Sequence, residues 1–284
     1  MAKSGADEIK GGRGNDRICT GDGRDNILGQ GGADKLKGGA HDDDIDGGKG
    51  SDRLVGSGGT EFLRGGPGDD ALKGGPDEFG DQADYGIAPG SITVDLTAGT
   101  ATGQGRDTLT GIETVYGSES ADFLIGDGKR NNLIGFGGDD TLLGRGSFDF
   151  LQGSGGDDTM DGGAGSDMVE YFSASSAVII DLSGGSATGQ GIDTLISIEN
   201  ATGSDFGDTL FGNNAGNDLG GNDGVDSIFG AGGSDFLFGG SGNDDLLGED
   251  GDDELDGAQG TDTGDGGNGT DRCISIEAPL SCES

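Results

Sequence analysis

Cations are scarce in this chain of 284 residues: 16 Lys and Arg stand against 54 Asp and Glu, a formal net charge of −38. A surface of that sign repels nucleic acid and anionic membranes, so neither is an expected partner. Trp is absent, His occurs once and Cys three times. Three Cys make no disulfide framework. The same shortage leaves zinc and iron without their preferred ligands. No apolar run approaches the roughly 18 residues of a membrane span, so membrane insertion is not expected. The segment Met1 to Lys10 holds no apolar stretch that could act as a signal peptide. The expectation is a removed signal, a fragment, or export by another route. His-Glu-x-x-His and Gly-x-Ser-x-Gly motifs are missing, as is a phosphate loop with its Lys and following helix. No catalytic residue is assigned, and the chain is read as a non-enzyme.

Large apolar residues are also few, and low apolar content with high charge ordinarily signals disorder. Periodicity overrides that reading. Gly is 68 of the 284 residues, and it recurs in a fixed frame. Gly11-Gly12-Arg13-Gly14-Asn15-Asp16-Arg17-Ile18-Cys19 is followed nine residues later by Thr20-Gly21-Asp22-Gly23-Arg24-Asp25-Asn26-Ile27-Leu28. The sixth position reads Asp7, Asp16, Asp25, Asp34, Asp43, Asp52, Glu61 and Asp70 in a first run. It reads Asp122, Asn131, Asp140, Asp149, Asp158 and Asp167 in a second, and Asp208, Asn217, Asp226, Asp235, Asp244, Asp253, Asp262 and Asp271 in a third. The eighth position is aliphatic or Met throughout, apart from Gly264 and Cys273.

Two longer segments separate the runs and match each other at an offset of 86, as in Asp107-Thr108-Leu109 and Asp193-Thr194-Leu195. Ile92, Val94 and Leu96 alternate with Thr93, Asp95 and Thr97, a strand period. These segments read as larger β coils, since about 30 residues bury too little to stand alone. The expected organisation is a repeat block at 2–84, a β spacer at 85–116, a second block at 117–170, a second spacer at 171–202, a third block at 203–274 and a cap at 275–284.

Each nonapeptide supplies a Gly-rich turn and a short strand with its eighth side chain inward. Two make a coil of 18 residues, so the expected fold is all-β, a β-solenoid of two parallel sheets with turns along both edges. Turns 18 residues apart stack at about 4.8 Å, which brings Asp16 near Asp34 and Asp25 near Asp43. Carboxylates that close repel unless a cation lies between them. Calcium accepts six to eight hard oxygens, backbone carbonyls included, whereas magnesium demands a tighter octahedron and keeps its waters. Pairs 18 apart with Asp at both ends number thirteen, and thirteen dications would bring −38 to −12. The candidate ligands are therefore the Asp residues of the sixth position named above, binding on the order of a dozen calcium ions.

Gly11 to Cys19, Gly47 to Val55 and Gly239 to Leu247 resemble the RTX, or hemolysin-type, calcium-binding nonapeptide, Gly-Gly-x-Gly-x-Asp-x-U-x with U a large apolar residue. Val94-Asp95-Leu96 through Asp107-Thr108-Leu109 to Ile112-Glu113 resembles the spacer often seen between RTX runs. The resemblance implies a right-handed parallel β-roll (β-solenoid), secretion to a calcium-rich exterior, and folding upon calcium binding. Alternatives of other classes are a rigid adhesin or matrix module and the non-catalytic repeat region of a larger secreted or polysaccharide-modifying enzyme. A surface or polysaccharide partner is left unassigned.

Some residues stay open. Asp107, Glu113, Asp193 and Glu199 are either calcium ligands or carboxylates hydrogen-bonded to backbone. Glu61, Asn131 and Asn217 depart from the Asp pattern, the turn at Gly74 to Asp81 carries about two extra residues, and Gly264 is expected to leave a gap in the core. His41 reads as a tolerated turn substitution. Phe206, Phe211, Phe229, Phe236 and Phe238 read as core or edge packing, with an apolar surface patch as the alternative. Cys273 and Cys282 either close the end of the solenoid as a disulfide or leave Cys273 as a buried free thiol.

Overall fold

The computed structural model describes residues 4–76 and 80–282. Residues 2–3 and 77–79 of the first repeat block and the last two of the cap lie outside that description. Among the described residues there is no helix, hence none long and apolar enough to cross a membrane. The chain divides into two compact units, Met1–Gly146 and Ser147–Ser284, and the division falls inside the second repeat block.

In the first unit successive strands alternate between two sheets. One sheet runs Glu8–Arg13, Asn26–Gly31, Asp44–Asp46, Phe62–Arg64, Gln82–Asp84, Thr114–Tyr116 and Asn132–Gly137, every neighbour parallel. The other starts Arg17–Asp22, Lys35–Ala40, Arg53–Val55 and Ala71–Lys73, again parallel. The register is the repeat itself: Ile9 faces Ile27, Ile27 faces Ile45, and Ile45 faces Leu63. Eighth-position side chains therefore stack inward along each sheet. Ile27, Ile45, Leu63, Leu36, Leu54 and Leu72 are all essentially inaccessible. The second unit follows the same plan. Its strands Asp218–Asp223, Phe236–Gly242, Glu254–Gly260 and Arg272–Ile274 stack in parallel on one side. Thr209–Phe211, Ser227–Phe229, Asp245–Leu247 and Thr263–Asp265 do so on the other. Each unit is a parallel β-solenoid with 18 residues per regular coil.

The spacers differ from the larger coils expected of them. In the first, Thr93–Asp95, Thr100–Thr102 and Arg106–Thr110 form an antiparallel meander. Arg106–Thr110 joins Ala71–Lys73 in parallel and Thr93–Asp95 joins Phe123–Ile125 in parallel. The chain thus overshoots, doubles back and resumes, setting three strands into one sheet. The second spacer repeats this with Ile179–Asp181, Ser186–Thr188 and Ile192–Ile196. Strand-period alternation predicts strands but carries no direction, so the antiparallel step was invisible in the sequence.

Two other expectations need correction. Gly264 leaves no gap: a Cβ there would lie 3.3 Å from the Ile276 side chain, which covers the position. The Phe cluster is not core. Phe206, Phe211, Phe236 and Phe238 are each more than a third exposed. Phe211, Phe229, Phe236 and Phe238 occupy positions seven and nine, which flank the inward eighth and point outward. Phe211 stacks on Phe229 at 4.9 Å between ring centres. His41 has φ of 79° and bonds the Ala40 carbonyl through Nδ1, in keeping with a turn role.

Candidate metal centre

Along each edge the sixth-position side chains form a ladder with one repeated contact. The backbone N–H of one Asp donates to Oδ1 of the Asp 18 residues later. On one edge Asp16 donates to Asp34, Asp34 to Asp52 and Asp52 to Asp70, each at 2.7 Å. On the other, Asp7 donates to Asp25 at 2.8 Å and Asp25 to Asp43 at 2.9 Å. Asp122 donates to Asp140 at 2.7 Å and Asp149 to Asp167 at 2.8 Å. In the third run Asp208 donates to Asp226, Asp226 to Asp244 and Asp244 to Asp262, at 2.7 to 2.9 Å. Asp235 donates to Asp253 and Asp253 to Asp271. The structure thus stacks these candidates at the 18-residue spacing and buries most of them.

Only one carboxylate oxygen is used in this way. Oδ2 of Asp16, Asp25, Asp34, Asp43, Asp52 and Asp70 is buried and accepts no hydrogen bond. The same holds for Asp167, Asp226, Asp235, Asp244, Asp253 and Asp262. A buried acceptor left unpaired costs about 1–3 kcal/mol, and more when charged. Burial pushes Asp43, Asp52, Asp70, Asp167, Asp226, Asp235, Asp244 and Asp253 up. Asp43 and Asp235 rise to about 6, and Asp70 and Asp226 to about 7, with neighbouring carboxylates adding to the effect at each. Without a counter-charge these twelve oxygens are unsatisfied.

The turn glycines keep that oxygen open to others. A Cβ at Gly29 would lie 2.6 Å from Asp34 Oδ2 and 2.5 Å from the carbonyl oxygen of Gly47, one coil on. Any side chain would crowd both oxygens. Among the described residues no three His, Cys, Asp or Glu side chains converge on one point. A cation held here would therefore take most of its oxygens from backbone carbonyls. That donor set is all hard oxygen and suits calcium.

Several ladder members escaped the nonapeptide frame. Glu61 N donates to Asp81 Oδ1 at 3.0 Å, so Asp81 takes the next rung after the turn with two extra residues. Asp70 N donates to Asp107 Oδ1 at 3.0 Å, and Asp158 N to Asp193 Oδ1 at 3.1 Å. Asp167 N donates to Glu199 Oε2 at 2.9 Å, and Asp262 N to Glu277 Oε2 at 2.6 Å. The match between the two spacers was the available signal for Asp107 and Asp193. Nothing periodic marked Asp81 or Glu277.

Four rungs beside the spacers, at Asp107, Asp122, Asp193 and Asp208, are satisfied within the chain. Asp107 Oδ2 accepts from the Tyr85 hydroxyl at 3.0 Å, and Asp193 Oδ2 from Tyr171 at 2.8 Å. Both phenols are buried and pushed well above their ordinary value, chiefly by that burial, so each donates its proton. Asp122 Oδ1 accepts from Ile92 N and Ser118 Oγ, and its Oδ2 from Ser118 N. Asp208 is held by Val178 N, Ser204 N and Ser204 Oγ in the same arrangement. Asn217 Nδ2 donates to the Glu199 carbonyl at 2.6 Å. Asn131 Nδ2 faces the Glu113 carbonyl likewise, at 3.5 Å. Asp107 and Asp193 thus belong to the ladder, and each has both carboxylate oxygens hydrogen-bonded, one to a backbone N–H and one to a tyrosine hydroxyl.

At the end of the third run Cys273 and Cys282 are joined, with Cα atoms 5.8 Å apart, and Cys19 is the free thiol.

A family model described as the RTX calcium-binding nonapeptide repeat (4 copies) matches residues 1–27, 20–54, 55–78, 107–135, 116–151, 134–169 and 238–273, together more than half of the chain. No curated protein matches it.

Proposed function

The chain belongs to the RTX calcium-binding nonapeptide repeat family, and on that premise we propose that it is a secreted, non-catalytic calcium-binding β-roll that folds as calcium enters its turns. The observation that carries this reading is the row of buried Oδ2 atoms without a hydrogen bond. The rungs from Asp16 to Asp52 and from Asp226 to Asp262 each offer one such oxygen, and Gly-turn carbonyls lie beside it, as at Gly29; calcium between rungs converts mutual repulsion into attraction. The core supports the coupling to folding. It contributes one inward aliphatic residue per nonapeptide, too little to offset chain entropy and the repulsion of 54 acidic side chains unaided.

One observation supports work outside the cell. The Cys273–Cys282 bond belongs to an oxidising compartment.

The test is a calcium titration of the full chain followed by circular dichroism and hydrodynamic radius. Millimolar calcium should convert a largely disordered chain into a compact β fold, and magnesium at equal concentration should do much less. A compact β fold in excess EGTA across the repeat blocks refutes the proposal.

A further inference from the structure

We propose that the two spacers are calcium-independent coils, wound by hydrogen bonds at the places where the repeats use a cation, and that they hold at low calcium as templates for the repeats beside them. The inference rests on the calcium reading for the repeats themselves. Its observation is separate: at Asp107, Asp122, Asp193 and Asp208 both carboxylate oxygens are taken within the chain.

At Asp107 the ladder contact from Asp70 is intact, yet the oxygen left open elsewhere is filled by the Tyr85 hydroxyl. The second spacer reproduces the pair with Tyr171 and Asp193. A hydroxyl hydrogen aimed at an oxygen places positive charge where a dication would sit, so the two occupants exclude each other. On the far side of each spacer a Ser at the second turn position does the same with its N–H and hydroxyl, at Asp122 and at Asp208. On the opposite edge Asn217 removes the charge, and its amide nitrogen reaches the carbonyl one coil back. These substitutions recur at both spacers, 86 residues apart.

Packing points the same way. A repeat buries one aliphatic side chain per nine residues. The first spacer buries Tyr85, Ile92, Val94, Leu109, Ile112 and Val115 within about 30 residues. Its antiparallel meander is made of contacts close in sequence, which form at a smaller entropic cost than pairings 18 apart. A coil wound in this way exposes strand edges in register for the next coil, and calcium loading then proceeds outward from it.

Amide hydrogen exchange on the full chain in excess EGTA tests this. Amides of Val94, Leu109, Ile180 and Leu195 should be protected at least tenfold more than those of Leu36 and Leu246. Tyr85→Phe should lower protection in the first spacer by about 10- to 100-fold, the range for a lost buried hydrogen bond, and leave the second unchanged. Calcium stoichiometry by native mass spectrometry should not fall in Tyr85→Phe, because a hydroxyl and not a cation fills Asp107 Oδ2. Asn217→Asp should bind one additional calcium and lose protection around Asn200–Thr202 in EGTA, which shows that a rung can be converted from one kind to the other. Spacers that exchange as fast as the repeats overturn the proposal, as does a Tyr85→Phe variant that binds fewer calcium ions. Repeats that stay protected in EGTA and bind no calcium overturn the calcium reading instead, which keeps the two failures distinct.

Discussion

Asp244 gives the sharpest test of the ladder. Its side chain is about 2% exposed. Oδ1 accepts the Asp226 N–H at 2.9 Å, its own N–H donates to Asp262 at 2.9 Å, and Oδ2 is left open. In Asp244→Ala the Asp226 N–H loses its acceptor in a buried place, a cost of about 1–3 kcal/mol before any cation is considered. On the calcium reading the lost carboxylate would also serve two sites, one shared with Asp226 and one with Asp262. Losing one calcium site at a concentration 100 times its Kd removes about 2.7 kcal/mol more. Asp256→Ala removes the same formal charge twelve residues away. Asp256 lies at the ninth position, half-exposed, and accepts from Ala258 N at 3.0 Å, so its loss should stay within about 0.5 kcal/mol. Calorimetry should find up to two fewer calcium ions in Asp244→Ala and the full number in Asp256→Ala. The calcium midpoint of folding should rise only in the former. Equal shifts in both variants would mean that general electrostatics is at work and the site assignment is wrong.

The raised carboxyls of Asp43, Asp70, Asp226 and Asp235 predict an inverted pH response without calcium. Their folded-state values of about 6 to 7 lie above the ordinary value near 4, so the cation-free fold takes up protons. In EGTA, stability should rise as pH falls from about 8 toward 4. In calcium, acid should raise the midpoint, and binding should release protons into a weakly buffered solution; a midpoint independent of pH refutes this. Gly248→Ala places a Cβ 2.4 Å from Asp253 Oδ2 and 2.6 Å from the Gly266 carbonyl, and should abolish the calcium site there by stoichiometry. Reduction of Cys273–Cys282 should destabilise the end of the second unit by about 2–3 kcal/mol, the value for a short closed loop. Thiol counting under denaturing, non-reducing conditions should find one free thiol, and three would refute the pairing.

Register was the most legible property. With one aliphatic residue inward every nine positions, only an 18-residue coil lets Ile27 sit on Ile45 and Asp16 beside Asp34, so stacking followed from periodicity alone. The outward direction of Phe211, Phe229, Phe236 and Phe238 was also present there, since positions seven and nine must oppose an inward eighth; clustering was read in place of alternation. The nonapeptide frame could not reach Asp81 or Glu277, which enter the ladder after changes of spacing.

Composition and period by themselves determined that the acids would stack along two edges and that a hard dication suits them, because both follow from which residue recurs and how often. Tertiary structure alone decided which of those acids has an oxygen to offer. Tyr85 lies just past the strand Gln82–Asp84 and Asp107, 22 residues on, lies within Arg106–Thr110, and only the doubled-back meander brings the phenol to the carboxylate. A repeat pattern records that an Asp is present at each rung. Whether its second oxygen faces a hydroxyl, an amide or open carbonyls depends on side-chain direction across coils, and that is a property of the fold.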